Sequence, residues 1–313
     1  MGGDRRGELS DAEWERLRPF LPVSNGRCGR WRDHRQVIDG ILHRVRTGVH
    51  WRDLPERFGP WKTVYERHRL WSADGTWERL LQQVQAAADA AGEIDWDVSV
   101  DSTSVRAHQH AAGARRSTAC PGQVKGGRGR GTPGRIAVAE SGRPAGGGGA
   151  GGEGLGRSRG GFTSKIHLSA DGRCRPLSLI ITPGQRAGCT QFAPVLEKIR
   201  VPRQGIGRPR KKPDSVAADK AYSNGPCRQC LRQRGIRHTI PEKADSQAAR
   251  QRRGSRGGRP PGFDRDRYKK RNTVERAINK LKNHRAVATR YDKRGYVFLG
   301  TVAAASVAIW LRT

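Results

Sequence analysis

Three acidic residues stand in sequence patterns that restrict where each can lie in a fold. Asp101 ends a run, residues 94–100, in which apolar and polar side chains alternate as they do along a strand. Asp219 ends a shorter apolar run in the same way. Glu275 lies in the segment 268–285, which contains neither proline nor glycine and therefore favours a helix. We expect two carboxylates at strand ends and a third on a helix that packs against the same sheet.

The helical segment carries three further polar residues at fixed distances from Glu275. At about 100° per residue, Tyr268, Arg271, Glu275 and Lys282 share an arc of about 60°. Apolar residues flank this arc, so the helix can pack on a sheet while its polar stripe faces a site. A solvated basic helix with ion pairs between successive turns is the alternative, and the helix alone does not decide between the two.

Two carboxylates on adjacent strands repel each other, and without a cation one of them tends to hold a proton. A hard divalent ion removes this conflict by taking oxygen ligands from both. Two such ions about 3.5–4 Å apart can activate a water or a 3′-hydroxyl and stabilise the leaving oxygen of a phosphodiester. Taken separately, Asp101 or Asp219 could also be an ordinary turn residue at the end of a strand.

These motifs resemble those of the DDE transposases of bacterial insertion sequences, in the large group that comprises families four and five. In that group the third catalytic acid stands in a Tyr-x2-Arg-x3-Glu-x6-Lys run. Four residues of this chain match the run at the same spacing: Tyr268, Arg271, Glu275 and Lys282. The Val-Asp-Ser-Thr around Asp101 and the Ala-Asp-Lys-Ala-Tyr around Asp219 resemble the motifs of the first two acids. Most of the chain shares the resemblance, except about residues 115–153.

The resemblance implies roles for these residues. The three acids are implied to be catalytic and to bind Mg²⁺ or Mn²⁺, and the tyrosine, arginine and lysine of the run are implied to contact DNA. The implied function is a transposase that binds the terminal inverted repeats of an insertion sequence, cleaves DNA at its ends and transfers the 3′-ends into target DNA. A homodimer or higher oligomer on DNA is expected. A metal-dependent nuclease without strand transfer and a catalytically inactive DNA-binding derivative are the alternatives.

Strand and helix patterns after residue 92 favour an α/β fold. The expected strands cover 95–101, 163–169, 175–182, 214–219 and 236–240, and the expected helices cover 190–199, 224–234 and 268–286. The resemblance narrows this pattern to a ribonuclease-H-like catalytic domain over residues 93–313. Within it, a basic insertion at 242–264 is expected to be a mobile loop over DNA. A Gly/Arg-rich stretch at 121–160 is too poor in apolar residues to become ordered.

Residues 1–92 are expected to form an all-helical domain. Ser10 begins a capping box, and the following patterns predict a helix, a short helix, a turn and a basic helix over 61–71. This order is typical of helix-turn-helix proteins, whose last helix enters the major groove of DNA. The basic residues expected to contact DNA there are Lys62, Arg67 and Arg69. A plain helical bundle with a charged face is the alternative.

A second basic element, Gly-Arg-Pro-Arg-Lys-Lys at 207–212, resembles the core of an AT-hook. Arginines of such elements enter narrow minor grooves, so Arg208 and Arg210 are further DNA-binding candidates. A solvated loop between two elements is the alternative.

The charge of the chain agrees with a protein that binds DNA inside the cell. The chain has 61 Lys and Arg against 29 Asp and Glu, which gives a formal net charge of +32 and favours a polyanionic partner. A ribosomal or nucleoid-coating protein would be equally basic without needing three placed acids. The apolar segment 298–311 is too short to span a bilayer, and no signal peptide is recognisable. We expect a cytoplasmic, nucleoid-associated protein without a membrane partner.

Cysteine spacing gives little support to a metal centre. Cys227 and Cys230 are the only close pair among six cysteines. A zinc site would need a second pair of cysteines or a pair of histidines at suitable spacing. We therefore expect reduced thiols.

Overall fold

A computed structural model describes residues 7–23, 31–114, 152–158 and 160–313. The Gly/Arg-rich stretch predicted to lack order lies mostly outside these described residues. The strands of the described part are β1 (Asp97–Ala107), β2 (Gly156–Ser158), β3 (Gly161–Ala170), β4 (Pro176–Pro183), β5 (Ser215–Ala218), β6 (Arg237–Thr239) and β7 (Thr289–Arg290). Its helices are α1 (Asp11–Leu17), α2 (His34–Thr47), α3 (Trp61–Ala73), α4 (Thr76–Ala90), α5 (Gln109–Ala112), α6 (Phe192–Glu197), α7 (Gly225–Gln233), α8 (Ala244–Arg252), α9 (Arg265–Lys269), α10 (Asn272–Lys282), α11 (Arg285–Ala288) and α12 (Gly295–Leu311).

The sheet has a mixed topology that places β1 at its centre. β3 runs antiparallel to both β1 and β4, while β5 runs parallel to β1 and β6 parallel to β5. The main strands therefore lie in the order β4-β3-β1-β5-β6. Three antiparallel strands followed by two parallel ones, with helices between the later strands, make a ribonuclease-H-like fold. The expected fold class is confirmed.

β1 is longer than the sequence pattern predicts. The expected strand stops at residue 101, but pairing with β3 continues from Ser102, opposite His167, to Arg106, opposite Thr163. Beyond that point β7 supports the last residues of β1. Alternation of apolar residues ceases after residue 100 because the later part of the strand is half-exposed, so periodicity could not reveal it. Asp101 therefore lies inside β1 rather than at its end.

Two other predictions need correction. The basic insertion at 242–264 was expected to be a loop, but it contains α8 and a 3-10 turn at Gly254–Gly257. α8 has no buried residue, so its amphipathic signal is weak. An ion pair of 2.9 Å joins Arg250 to Glu242, which precedes the helix, and ties α8 to the chain before it. The expected helix at 190–199 is instead a 3-10 turn followed by the short α6.

The N-terminal helices follow the sequence signals closely. Ser10 and Glu13 form the predicted capping box, and α2 ends at Gly48, which has a left-handed backbone with φ 72°. α2, α3 and α4 pack around α12, the predicted terminal helix. Among the described residues, no helix is both long and apolar enough to cross a membrane.

α12 is apolar on all sides, and every residue except Tyr296 and Leu299 is buried. One flank packs against α3 and α4 and another against β4. At Gly300 the approach to α3 is so close that a methyl group would overlap Ser72. Buried residues from both halves of the chain form one hydrophobic cluster. The boundary proposed at residue 92 therefore separates two parts of the sequence but does not separate two hydrophobic cores. α12, from the C-terminal part, completes the core of the N-terminal helices.

A chain of buried polar groups crosses this shared core. Trp77 Nε1 donates to His68 Nδ1 at 3.1 Å, and His68 Nε2 lies 3.1 Å from Thr301 Oγ1. Thr301 donates to Asp292 Oδ2 at 2.9 Å, and Arg44 Nη2 donates to Asp292 Oδ1 at 3.2 Å. Because the indole N–H can only donate, His68 carries its proton on Nε2, and burial lowers its pKa to about 4. The neutral imidazole therefore accepts from Trp77 and donates to Thr301, which in turn donates to Asp292 of the ion pair with Arg44.

We predict that Asp292→Ala lowers the free energy of unfolding by about 3–5 kcal/mol, because it leaves the guanidinium of Arg44 buried without its counter-ion. Asp266→Ala is the matched control: its pair with Lys269 is exposed, so the loss should stay within about 1 kcal/mol. Denaturant titration measures both. Equal losses in the two variants would contradict the role given to the Asp292 pair.

Candidate active site

Asp101 and Asp219 lie side by side because of the strand register. β1 pairs in parallel with β5 up to Val100 opposite Ala218, and each aspartate is the next residue of its strand. Neighbouring strands lie about 4.8 Å apart, so the two side chains leave adjacent backbones. β5 ends at Ala218 while β1 continues, so Asp101 stands where β1 loses its parallel neighbour. The site opens at this step in the sheet.

Each aspartate uses one oxygen to fix its own backbone. Asp101 Oδ1 accepts from the Ser102 N–H at 2.7 Å, and Asp219 Oδ1 accepts from the Ala221 N–H at 2.9 Å. The second bond makes Asp219 the cap of a 3-10 turn at Lys220–Tyr222. One carboxylate oxygen of each residue is therefore held by the backbone, which orients the other.

The electrostatic environment of Asp101 is unfavourable for its charged form. Burial is the main cause that raises the pKa of this carboxyl, and the charges of Asp219 and Glu275 raise it further. The Ser102 N–H and the charge of Arg271 act in the opposite direction but are outweighed. Three carboxylates thus influence one another, and a bound cation would relieve their repulsion.

Glu275 reaches this group because α9 and α10 lie along β1. Three contacts follow the strand from its start: Arg267 Nη2 to Asp97 Oδ1 at 2.7 Å, Thr273 Oγ1 to Ser99 Oγ at 3.2 Å, and Lys282 Nζ to the Ser104 carbonyl at 3.5 Å. Glu275 comes between the second and third contacts, at the level of Asp101. Val274, Ala277, Ile278 and Leu281 form the buried face of α10.

Glu275 is engaged by a neighbour on its own helix. Arg271 Nη2 donates to Glu275 Oε1 at 2.6 Å, and the carboxylate side chain is 46 % exposed. The guanidinium of Arg271 also lies 5.5 Å from the ring of Tyr268. The arginine of the sequence motif therefore serves as the counter-ion of its glutamate.

Tyr268 contacts Arg271 but stands apart from Glu275 and Lys282 of the predicted stripe. The expected single helix over 268–286 is divided, with Tyr268 on α9 and Glu275 on α10. Between them the backbone tightens, and the Arg271 N–H bonds to the Tyr268 carbonyl three residues back. Tyr268 instead packs against the ring of Phe263, with centroids 5.2 Å apart. At a rise of 1.5 Å per residue it lies about 10 Å from Glu275 along the helix.

The donor set at this site fits a hard divalent ion. Carboxylate oxygens are the ligands that Mg²⁺ and Mn²⁺ prefer, and the three acids carry more negative charge than Arg271 balances. In the described ranges, no three His, Cys, Asp or Glu side chains are grouped so that they could hold an ion as they stand. Cys227 and Cys230 are free thiols, as expected.

Ser102 and Tyr222 support the site and were not identified from the sequence. The Tyr222 hydroxyl lies near the Ser102 side chain, and burial raises the pKa of the phenol. Both groups pack against Gly188, because a methyl group at that position would lie 3.0 Å from the Tyr222 hydroxyl and 3.1 Å from Ser102 Oγ. Tyr222 ends the Ala-Asp-Lys-Ala-Tyr motif, so its fixed distance from Asp219 was the available signal.

The candidate DNA contacts on α3 have different surroundings. Lys62 and Arg69 are exposed on one stripe of the helix. Arg67 is 7 % exposed, lies 4.0 Å from the ring centroid of Trp31 and contacts His34 Nδ1 at 3.1 Å. Because its guanidinium is covered by aromatic rings, the structure gives Arg67 a packing role rather than the expected DNA contact.

The AT-hook resemblance also applies to only one of its two arginines. Arg208 is exposed. Arg210 lies 4.0 Å from the ring centroid of Trp96, pairs with Asp214 at 2.8 Å and forms an isolated bridge with Val201. A guanidinium held in this way cannot enter a minor groove without losing these contacts, so Arg210 is removed from the DNA-binding candidates.

Comparison with known proteins agrees with this geometry. Residues 9–81 match a family described as "Putative transposase of IS4/5 family", and residues 94–307 match the family of transposase DDE domains. An uncharacterized protein, y4sN, of Sinorhizobium fredii is 42 % identical over 35 % of this chain and 84 % of its own length. A "Putative transposase for insertion sequence element IS6501" of Brucella ovis is 29 % identical over 48 % of this chain and its whole length.

Among solved structures, a Mos1 transposase paired-end complex with its left transposon end aligns with 86 % of this chain and 83 % of its own length. Its identity of 12 % and TM-score of 0.24 are too low to establish a shared fold. The match to the DDE domain spans the sheet, all three carboxylates and most of α12. The chain belongs to the DDE transposases of insertion sequences.

Proposed function

We propose that the chain cleaves DNA at the ends of an insertion sequence and joins the 3′-ends to target DNA, with Asp101, Asp219 and Glu275 as its catalytic residues. The register of β1 and β5 carries this proposal, because it aligns the two aspartates where the sheet opens. The contacts of α10 along β1 bring the glutamate to the same level. A phosphodiester entering there would meet three carboxylates and a surface that is otherwise basic.

The three acids would hold Mg²⁺ or Mn²⁺. Such ions, when bound, make the attacking water or 3′-hydroxyl more acidic and stabilise the leaving oxygen. The chain's own contribution is orientation: the N–H groups of Ser102 and Ala221 each hold one oxygen of an aspartate, and Tyr222 packs near Ser102.

Arg271 and Lys282 are proposed to bind phosphates on either side of the scissile bond. Both are half-exposed: Arg271 caps the start of α10, and Lys282 is its last residue and reaches β1 near Ser104. Tyr268 is proposed to contact the DNA further back, because it stands on α9 beside Phe263. A positioning role suits it better than nucleophilic attack, since the ions already activate the nucleophile.

Recognition of the terminal repeats is proposed to use the exposed stripe of α3. Lys62 and Arg69 project from it, while the opposite face is buried against α12. Arg208 is proposed to contact DNA without sequence preference. An element has two ends that must be handled together, so a homodimer or higher oligomer on DNA is proposed, acting at the nucleoid.

We expect Asp101→Asn, Asp219→Asn and Glu275→Gln each to lower the rates of cleavage and strand transfer at least about 1000-fold, because each removes a carboxylate that would hold the metal ions. Metal ligation and phosphate affinity use different residues. DNA affinity should stay within about threefold. Single-turnover assays on end-containing duplexes with Mg²⁺ measure the rates, and Asp266→Asn serves as the surface control. Retention of wild-type strand transfer by Glu275→Gln would remove it as the third acid.

Arg271 and a metal ion compete for Glu275, so Arg271→Gln should bind Mn²⁺ several-fold more tightly than the wild type without DNA. Lys282→Gln removes the same charge without touching Glu275 and is the matched control. Titration calorimetry in the absence of DNA measures both. An equal gain in the two variants would indicate a general charge effect instead of direct exchange.

Lys62→Ala and Arg69→Ala should lower the ratio of specific to non-specific DNA affinity, because contacts to bases specify and contacts to phosphates only position. Arg208→Ala should lower the affinity for all DNA sequences by the same factor and should reduce the slope of log affinity against log salt concentration by about one. Competition titration at one salt concentration measures the affinity ratio, and repeating it at several salt concentrations measures the salt dependence. Both use the full chain, because α12 completes the core around α3. An unchanged ratio in both α3 variants would contradict the helix-turn-helix interpretation.

A further inference from the structure

Four aromatic rings meet on the surface where β1 ends, and we call them the ring patch: His50, His108, His110 and Tyr291. Ring centroids are 5.8 Å apart between His50 and His110, 4.7 Å between His110 and His108, and 5.0 Å between His108 and Tyr291. His50 and His110 are exposed, and the other two are half-buried. The patch therefore offers ring faces to a ligand from outside.

Three separate parts of the chain hold the patch in place. The His108 N–H donates to the Arg290 carbonyl at 2.9 Å, which fixes the end of β1 beside the residue before Tyr291. The ring of Tyr291 lies against Gly48, two residues before His50, where a methyl group would be 3.4 Å from its Cε2. The rings of His108 and Tyr291 are thus held by these backbone and packing contacts, and His50 follows Gly48 closely in the chain.

The ring patch does not have the geometry of a metal site. His108 Nδ1 already accepts from the His110 N–H at 3.4 Å, as the cap of α5. The rings are tilted by 39–52° to one another and lie at stacking distances. Because His50 and His110 remain exposed while their rings contact their neighbours, a planar aromatic ligand can stack on the patch from solvent.

Basic residues connect the ring patch to the catalytic carboxylates. Along β1, Lys282 contacts Ser104, and the exposed Arg106 follows it toward His108. Arg285 is exposed beside Gly48. From Asp101 to His108 a strand covers about 23 Å, the length of about seven stacked nucleotides. Cations for phosphates followed by ring faces for bases are the combination that binds single-stranded nucleic acid.

We propose that the ring patch stacks on unpaired bases of the DNA strand that leaves the catalytic site. Bases inside a duplex hide their faces, so only bases outside the stack can use it. The inference rests on the proposed function, since it assigns the direction of the strand from Asp101. It gives the patch a ligand class, single-stranded DNA, distinct from the duplex that α3 is proposed to read.

His110 is the residue to change, because it touches both neighbouring histidines and its ring is exposed. His110→Gln removes the ring and keeps polarity, whereas His110→Phe keeps a ring. His238→Gln, on β6 at the other side of the sheet, is the matched control. The probe is a single-stranded oligonucleotide containing 2-aminopurine, titrated with the full chain in EDTA so that no cleavage occurs.

We expect His110→Gln to lose about 5- to 150-fold in affinity for the single strand together with the stacking-induced quenching of 2-aminopurine, as removal of one stacking ring does elsewhere. His110→Phe and His238→Gln should stay within about threefold of wild type, and affinity for blunt duplex should not change. Equal loss in His110→Phe, or a parallel loss on duplex, would overturn the proposal, because either would indicate an imidazole or phosphate contact. Binding in EDTA is independent of catalysis, so wild-type stacking with no cleavage under Mg²⁺ would refute the proposed function while leaving the ring patch intact.

Discussion

The burial of α12 is the constraint on which the rest of the structure depends. A helix that is apolar on every side must be covered on every side, and one face of a sheet covers only about half of it. β4 takes one flank, so α2, α3 and α4 must take the other. The polar chain from Trp77 to Arg44 crosses this contact and stabilises one arrangement, because each of its buried groups needs a specific partner. The proposed DNA-reading stripe on α3 is thereby held at a fixed position relative to the catalytic sheet.

The site itself arises from unequal strand lengths. β5 is four residues long and β1 is eleven residues long, so β1 extends past the end of β5 and the sheet has a step beside Asp101. A carboxylate at such a step has a neighbour on one side and open space on the other, which produces both the repulsion that raises the pKa of Asp101 and the room for a substrate. β1 then continues beyond the step toward Lys282 and the ring patch. The same extension that separates Asp101 from the strand end is thus the proposed path of the DNA strand.

Local patterns predicted the elements of this fold, but contacts between distant residues decided the details. The capping box at Ser10, the end of α2 at Gly48 and the apolar face of α10 were readable because their causes lie within a few residues. The extension of β1 depends on β3 and β7, which no periodicity in β1 could reveal. The apolar runs predicted that the two aspartates end neighbouring strands, and the structure has Asp101 inside β1 and Asp219 directly after β5. The closeness of Tyr222 to Ser102 at Gly188 required the fold to be known.

Arginines were the least predictable residues for a physical reason. In a chain with a net charge of +32, most basic residues have no carboxylate available, and a planar guanidinium can be satisfied by aromatic faces instead. Arg67 between Trp31 and Trp71, and Arg210 over Trp96, illustrate this alternative. Arg271 has both a ring and a carboxylate, and that carboxylate is the proposed third acid, Glu275. Under the proposed function, a phosphate that draws Arg271 away would free Glu275, so one ion pair would link DNA binding to completion of the carboxylate site.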